Sequence, residues 1–146
     1  MTPTFKVQKA KSDSDILATF PVMRQLRPHL KKSSYVSAVR QQQEEVRFQL
    51  ASLLMEGQVV SVAGFRLCRS LGWGKYLYVD DLVTDETHRS SGAGRRLFRW
   101  LVAYAKAERC DELRLDSAVY RHGAHRFYLR ERMDIACFNF RLPLGK

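Results

Sequence analysis

Two adjacent carboxylates, Asp80 and Asp81, sit inside an otherwise apolar strand pattern, and a glycine-rich loop flanked by arginines follows them. Charges in such a strand want a partner or a task, because burying an unpaired charge is costly. The strand pattern is Tyr76–Thr84, rich in β-branched and aromatic residues. Strict alternation puts Tyr76, Tyr78, Asp80 and Leu82 on one face and Leu77, Val79, Asp81 and Val83 on the other. A turn at Asp85-Glu86-Thr87-His88 and a loop, Arg89-Ser90-Ser91-Gly92-Ala93-Gly94, lead into an amphipathic helix. That helix runs to about Arg109, with Leu97, Leu101, Tyr104 and Ala105 on one face. A helix starts with amides that have no intrahelical partner, and its dipole adds positive charge there. Gly92 and Gly94 remove Cβ atoms, while Arg89, Arg95 and Arg96 add formal charge. The chemistry this suits is holding a pyrophosphate-like anion.

Two familiar phosphate loops are excluded. No Gly-Lys-Ser/Thr follows, as a triphosphatase loop requires. The dinucleotide fingerprint lacks its third glycine, and Asp111 and Glu112 precede the next strand instead of ending it.

The elements that must position this stretch follow from pattern. Phe5 and Val7 alternate in a first strand, Thr4–Lys9. Ser12 or Asp13 caps a helix with Ile16, Leu17, Phe20, Met23 and Leu26 as its stripe; Pro21 kinks or divides it and Pro28 stops it. Ser33-Ser34 caps a second helix through Tyr35, Val36 and Val39 into the polar run Gln41–Glu45. Val46–Met55 and Gln58–Cys68 form a hairpin turning at Glu56-Gly57. A loop at Arg69–Gly74 precedes the central strand. Glu112–Val119 reads as a strand parallel to Tyr76–Thr84, with the helix between them as the right-handed crossover. Arg121–Glu131 is a short helix, and Met133–Leu142 supplies one or two closing strands.

Arg89-x-x-Gly92-x-Gly94, after a strand ending Asp81-Leu82-Val83-Thr84, resembles motif A of the N-acetyltransferases of the GNAT superfamily. Ala124-His125-Arg126-Phe127-Tyr128-Leu129-Arg130 resembles that family's later helix, which ends in a Phe-Tyr pair and a basic residue. The order of elements agrees over nearly the whole chain.

The resemblance implies an α/β fold: a central mixed sheet with splayed parallel strands, flanked by helices, as one domain over residues 1–146. It implies acyl transfer from acetyl-CoA to a primary amine, with no metal. Pantetheine would pair with the strand end at Leu82, Val83 and Thr84. Arg89, Ser90, Ser91, Gly92, Ala93, Gly94 and Arg95 would hold the pyrophosphate. Tyr128 matches the position of the general acid; read without the resemblance, it is a core aromatic beside Phe127. Asp80 is the preferred base or ammonium anchor, with Asp81 the alternative, and a β-bulge of the kind the family has in this strand would turn either toward the acceptor; the purely structural alternative pairs Asp81 with an arginine and leaves Asp80 solvated. Leu26–Tyr35 would line the acceptor pocket. Two positions depart from the family pattern: Arg121 stands where asparagine is usual, and Arg132-Met133 where Gly-Phe is common.

Composition sets the outer bounds. The 146 residues carry a net charge of +10, with 45% hydrophobic and 27% charged residues, as in an ordinary globular chain. The basic residues are spread in short runs, which favours steering of a polyanionic cofactor over a nucleic-acid arm. The three cysteines, Cys68, Cys110 and Cys137, are odd in number and scattered, as expected of buried thiols in a reducing compartment, with the cytoplasm as the default. No unbroken apolar run opens the chain and none is long enough to span a membrane, so neither a signal peptide nor a membrane partner is expected. The expected partner is a small-molecule or peptide amine, with a homodimer compatible with the family. Two other classes remain: a non-catalytic acyl-CoA sensor on the same fold, and a basic nucleic-acid-binding module.

Overall fold

The computed structural model describes residues 2–145. Its elements are β1 (Phe5–Lys9), α1 (Asp13–Ala18), α2 (Phe20–Leu26), α3 (Lys32–Val46), β2 (Gln49–Met55), β3 (Gln58–Ser70) and β4 (Gly74–Thr84). A short 3-10 turn at Glu86–His88, α4 (Ala93–Ala107), β5 (Glu112–Leu115) and α5 (His122–Arg130) complete the order. They divide into two compact units, one up to Arg114 and one from Leu115 onward. Each is taken separately below.

In the first unit, strands β1 to β4 form an antiparallel meander, and β5 joins beside β4 in the order β1-β2-β3-β4-β5. The sheet is mixed, because the α4 crossover returns the chain in the direction of β4. Glu56 and Gly57 both take positive φ, 50° and 80°, which is the turn geometry a tight two-residue hairpin needs. Ser12 caps α1 by accepting from the Asp15 amide. Helices α1 and α2 separate at Thr19, one residue before the Phe20-Pro21 start of α2. The second helical run departs from expectation at its start: α3 begins at Lys32 with Lys31 as its N-cap and no side-chain cap.

Helices cover both faces of the sheet. On one face, Ile16, Phe20, Met23, Tyr35 and Val39 of α1–α3 pack with Leu50, Val62 and Val83. The Tyr35 hydroxyl lies 2.7 Å from Thr19 Oγ1, which donates to the Ile16 carbonyl, so this buried polar pair is satisfied. On the other face, Phe65 meets Trp100 and Tyr104 of α4 edge-on, with Leu97 and Leu101 fully buried nearby in the helix. Each such side chain contributes about 1.5–3 kcal/mol by leaving water.

The register of β3 against β4 breaks at one place. Gly64 pairs with Asp81 and Phe65 with Val79, leaving Asp80 as an extra residue, a β-bulge. This overturns the strict alternation read from sequence. Val79 shares the face of its partner Phe65, toward α4, whereas Val83 packs in the α1–α3 core. Asp80 and Asp81, consecutive in sequence, therefore open onto one cleft.

Strand β5 is shorter than Glu112–Val119. It starts where the Asp111 amide donates to the Lys75 carbonyl and ends at Leu115. β4 continues to Thr84, so among the described residues its second half has a strand only on the β3 side.

The second unit holds α5 and an extended tail. The closing strands expected over Met133–Leu142 are absent: residues 133–145 form neither helix nor strand. Phe138, Phe140 and Leu142 alternate as in a strand but are exposed. Alternation is a local signal, and a strand also needs a backbone ladder. Beyond the last residue of β5, this unit offers only a helix, and Pro143 removes one donor.

Gly64 is the residue on which the bulge closes: a Cβ there would strike the Phe48 ring and the Asp81 carboxylate. Gly64→Ala is expected to cost about 1–3 kcal/mol by overpacking. Gly72→Ala, where a Cβ meets nothing within 4 Å, should be close to neutral. Urea unfolding of the two variants beside wild type checks the difference.

Candidate active site

The loop before α4 is shaped by backbone conformation. Ser90 and Gly92 both lie in the left-handed region, at φ 70° and 84°, and Gly92 is the N-cap of α4. Consecutive turns of this kind leave amides pointing into a concavity suited to anions. Among the described residues, the N–H groups of Gly92 and Gly94 reach no protein acceptor, while the Ser91 amide and hydroxyl are tied to the His88 carbonyl. The two glycines serve different ends. Gly92 supplies the positive φ, and a Cβ on it would meet nothing within 4 Å. Gly94 permits close packing: its Cβ would stand 2.9 Å from Thr84 Oγ1, so it seats the helix start against the end of β4. A cleft of about 570 Å³ runs from Ser91 and Gly92 along Arg95, Arg96 and Arg99. Arg96 lies 4.2 Å over the Phe5 ring, and Arg99 adds a cation that the sequence reading did not include.

The turn entering this loop is pinned by Asp85. Its carboxylate accepts from the Gln25 amide at 2.9 Å and from the Thr87 hydroxyl at 3.0 Å, and His88 Nδ1 is 3.2 Å away. Gln25 also accepts from the Glu86 amide, tying α2 to the turn. The hydrogen bond from Gln25, followed by those of Thr87 and His88, holds the Asp85 carboxyl down at about 2.

A separate cleft of about 360 Å³ lies where Asp80 and Asp81 emerge. Arg27, Gln42, Val46, Phe48 and Arg66 complete its walls. Arg66 grips Asp80 with two parallel bonds, Nε to Oδ2 at 2.8 Å and Nη2 to Oδ1 at 3.0 Å. Arg27 donates from Nε to Asp81 Oδ1 at 2.9 Å and from Nη2 to the Asp80 carbonyl at 2.9 Å. Burial pushes the Asp81 carboxyl above its ordinary value, against the hydrogen bond from Arg27. The hydrogen bond to Asp80 raises the Arg66 guanidinium further, so it stays charged.

Sequence reasoning found the carboxylates and allowed an arginine on Asp81, but it identified neither Arg27 nor Arg66, and Asp80, which it left solvated in that alternative, is paired. Arg27 follows α2 and Arg66 lies in β3, 54 and 14 residues from their partners, and nothing local marks them. Of the segment Leu26–Tyr35, Arg27 enters the cleft, while Tyr35 is core. The cleft's other helical walls, Gln42 and Val46, come from the end of α3.

Tyr128 lies in the second unit, on α5, edge-on to Phe127. Burial raises its hydroxyl above the usual tyrosine value, with Arg121 opposing, so it remains protonated at neutral pH. His125 accepts a structural task, with Nε2 2.9 Å from the Ala118 carbonyl. Ser117 Oγ, just beyond β5, is buried without a hydrogen-bond partner among the described residues.

Known proteins resemble this chain in sequence and in fold. The model of the acetyltransferase (GNAT) family matches residues 16–133, across both units. An uncharacterised N-acetyltransferase, YhdJ, of Bacillus subtilis strain 168 is 25% identical over 139 residues, covering 94% of this chain and 98% of that one. Among solved structures, glucosamine-6-phosphate N-acetyltransferase from Arabidopsis thaliana superimposes with a TM-score of 0.76 at 20% identity, covering 97% of this chain and 99% of the other. The aminoglycoside N-acetyltransferase AAC(6′)-Iy in complex with CoA gives 0.84 at 8% identity, covering 100% and 98%.

Asp85 yields a pH-dependent test. Its folded-state pKa lies below the ordinary 3.8, so its contribution to stability is present above that value and is lost as pH falls toward 2. Asp85→Asn should be less stable than wild type at pH 5, and the gap should close between pH 4 and 2. Denaturant midpoints across that range measure it.

Proposed function

The chain belongs to the acetyltransferase (GNAT) family, and from that membership we propose that it transfers an acetyl group from acetyl-CoA to a primary amine bound beside Asp80 and Asp81. The observation that carries this reading is the end of β4. There, among the described residues, the half of β4 with a strand on one side only follows the two carboxylates, and the left-handed loop and the start of α4 come next in the chain.

The residues present fit acetyl-CoA. Backbone groups of Leu82, Val83 and Thr84, on the half of β4 without an outer strand, suit the pantetheine amides as an added strand would. The Gly92 and Gly94 amides, with Ala93 in the first turn and Arg89, Ser90, Ser91 and Arg95 flanking, suit the pyrophosphate. When bound, acetyl-CoA supplies an activated thioester. The solved relative with CoA lends support at the level of fold.

The protein's part in the chemistry is proton handling and placement. The acceptor nitrogen must lose a proton before it attacks the acetyl carbon. A C–N bond then forms, the C–S bond breaks, and the departing thiolate takes up a proton. Asp80 has both oxygens engaged by Arg66, which suits it to anchoring an ammonium group. Asp81 keeps Oδ2 outside its pairing with Arg27 and has a raised pKa, so it takes the role of proton acceptor, directly or through water. Tyr128, held protonated, is the donor to the thiolate. Among the described residues, no helix is long and apolar enough to cross a membrane. The cysteines, expected to be buried, are half-buried at Cys68 and Cys110 and exposed at Cys137; on this reading their scatter suits a reducing cytoplasm.

Acetyl-CoA at millimolar concentration should raise the melting temperature, because a ligand that binds only the native state stabilises it by mass action. No change would remove the proposal. Tyr128→Phe keeps the ring and deletes the hydroxyl. Its single-turnover rate with a proven acceptor should fall by roughly 10²–10⁴-fold while acetyl-CoA affinity holds. A rate equal to wild type would take Tyr128 out of the mechanism.

A further inference from the structure

The acceptor cleft is neutral in sum but strongly dipolar. It holds two guanidinium groups, Arg27 and Arg66, and two carboxylates, Asp80 and Asp81, all facing one space of about 360 Å³. Each arginine has five N–H donors. Arg66 spends two of them on Asp80, and Arg27 spends one on Asp81 and one on the Asp80 carbonyl. Among the described residues, three donors on each remain without a protein acceptor. The side chains of Arg27 and Arg66 are 42% and 28% exposed, so a ligand can reach them. On the acid side, Asp81 Oδ2 accepts no bond among the described residues.

We propose that the acceptor is a small zwitterion: an amine that also bears a single carboxylate or phosphate, its ammonium end toward Asp80 and Asp81 and its anion on the spare guanidinium donors. This rests on the acetyl-transfer reading and narrows it. A planar guanidinium with free N–H groups is matched by the two oxygens of a carboxylate or phosphate. A neutral amine would leave those donors to water. A polyamine or an aminoglycoside would set further cations against Arg27 and Arg66, and like charges brought together act as rejection. The volume lies near the lower end of small-molecule sites, which suits a compact acceptor over a folded protein surface. Val46 and Phe48 give an apolar wall for a short stem, and the Gln42 amide can both donate and accept beside it.

The test is an acceptor panel built from matched pairs, with the full chain at saturating acetyl-CoA and thiol release as the readout. The pairs are lysine with cadaverine, phenylalanine with phenethylamine, and glucosamine 6-phosphate with glucosamine. Spermidine and kanamycin stand as polycations. Rates are compared per unit of free amine. In any pair that is turned over, the anion-bearing member should exceed its partner in kcat/KM by about 10- to 100-fold, the range of a charge-assisted hydrogen bond. The amino-acid and sugar-phosphate pairs separate carboxylate from phosphate as the anion. Arg27→Lys, which keeps a cation beside Asp81 but loses the planar fork, should shrink that ratio. Because both members are measured on one preparation, loss of folded protein cancels. The inference is overturned if the neutral or polycationic compounds are used as well as the zwitterions. It is overturned equally if no compound is turned over although acetyl-CoA raises the melting temperature. If acetyl-CoA leaves the melting temperature unchanged, the failure lies in the acetyl-transfer reading beneath it.

Discussion

The geometry of the candidate site depends on one inserted residue. In β4, Asp80 has no opposite number in β3, and that extra residue turns the strand over between Val79 and Asp81. Before the bulge, the inward side chains serve the core beneath α4; after it, Val83 serves the core beneath α1–α3. The bulge is what allows one strand to feed two cores. It also places two consecutive carboxylates on a single cleft, an arrangement that regular alternation forbids. Gly64 makes the fit possible, since any larger residue would collide with Phe48 and with Asp81 itself.

Charge in the cleft is controlled by pairing. Two carboxylates side by side in a partly buried space would repel each other, and each is answered by a guanidinium from a different element, α2's end for Asp81 and β3 for Asp80. The two pairs are not equivalent. Asp80 is gripped on both oxygens, while Asp81 is more deeply buried and engaged on one. The two neighbouring acids thereby come to differ in burial and in free valences.

The start of α4 shows a comparable division of labour. Gly92 and Gly94 look alike in the sequence as parts of one loop. Gly92 takes a backbone conformation that other residues adopt at a cost, whereas Gly94 lets the helix approach Thr84. Both bear on the same small region at the end of β4, and Asp85, through Gln25, ties that region back to α2. The anion loop and the cleft are thus fixed to one frame within the first unit.

The sequence by itself determined the mixed α/β order of elements, the loop-to-helix junction and the identity of the two acids. Each of these is a local property: hydrophobic period, glycine and proline placement, or a charge inside an apolar run. It also determined the hairpin at Glu56-Gly57 and the break between α1 and α2, because turn conformation and proline act within a few residues. Only the tertiary structure decided the rest. The bulge at Asp80 is a mismatch between two strands and cannot be read from either one; the family resemblance led to its expectation, and the pairing of β3 with β4 fixed its place. Arg27 and Arg66 become partners of Asp81 and Asp80 through folding alone, since ion pairs across 54 and 14 residues leave no periodic trace. The tail shows the opposite failure. Phe138, Phe140 and Leu142 carry a strand's alternation, yet the second unit gives them no ladder, and a strand is a relation between chains of backbone donors and acceptors, which no single segment contains.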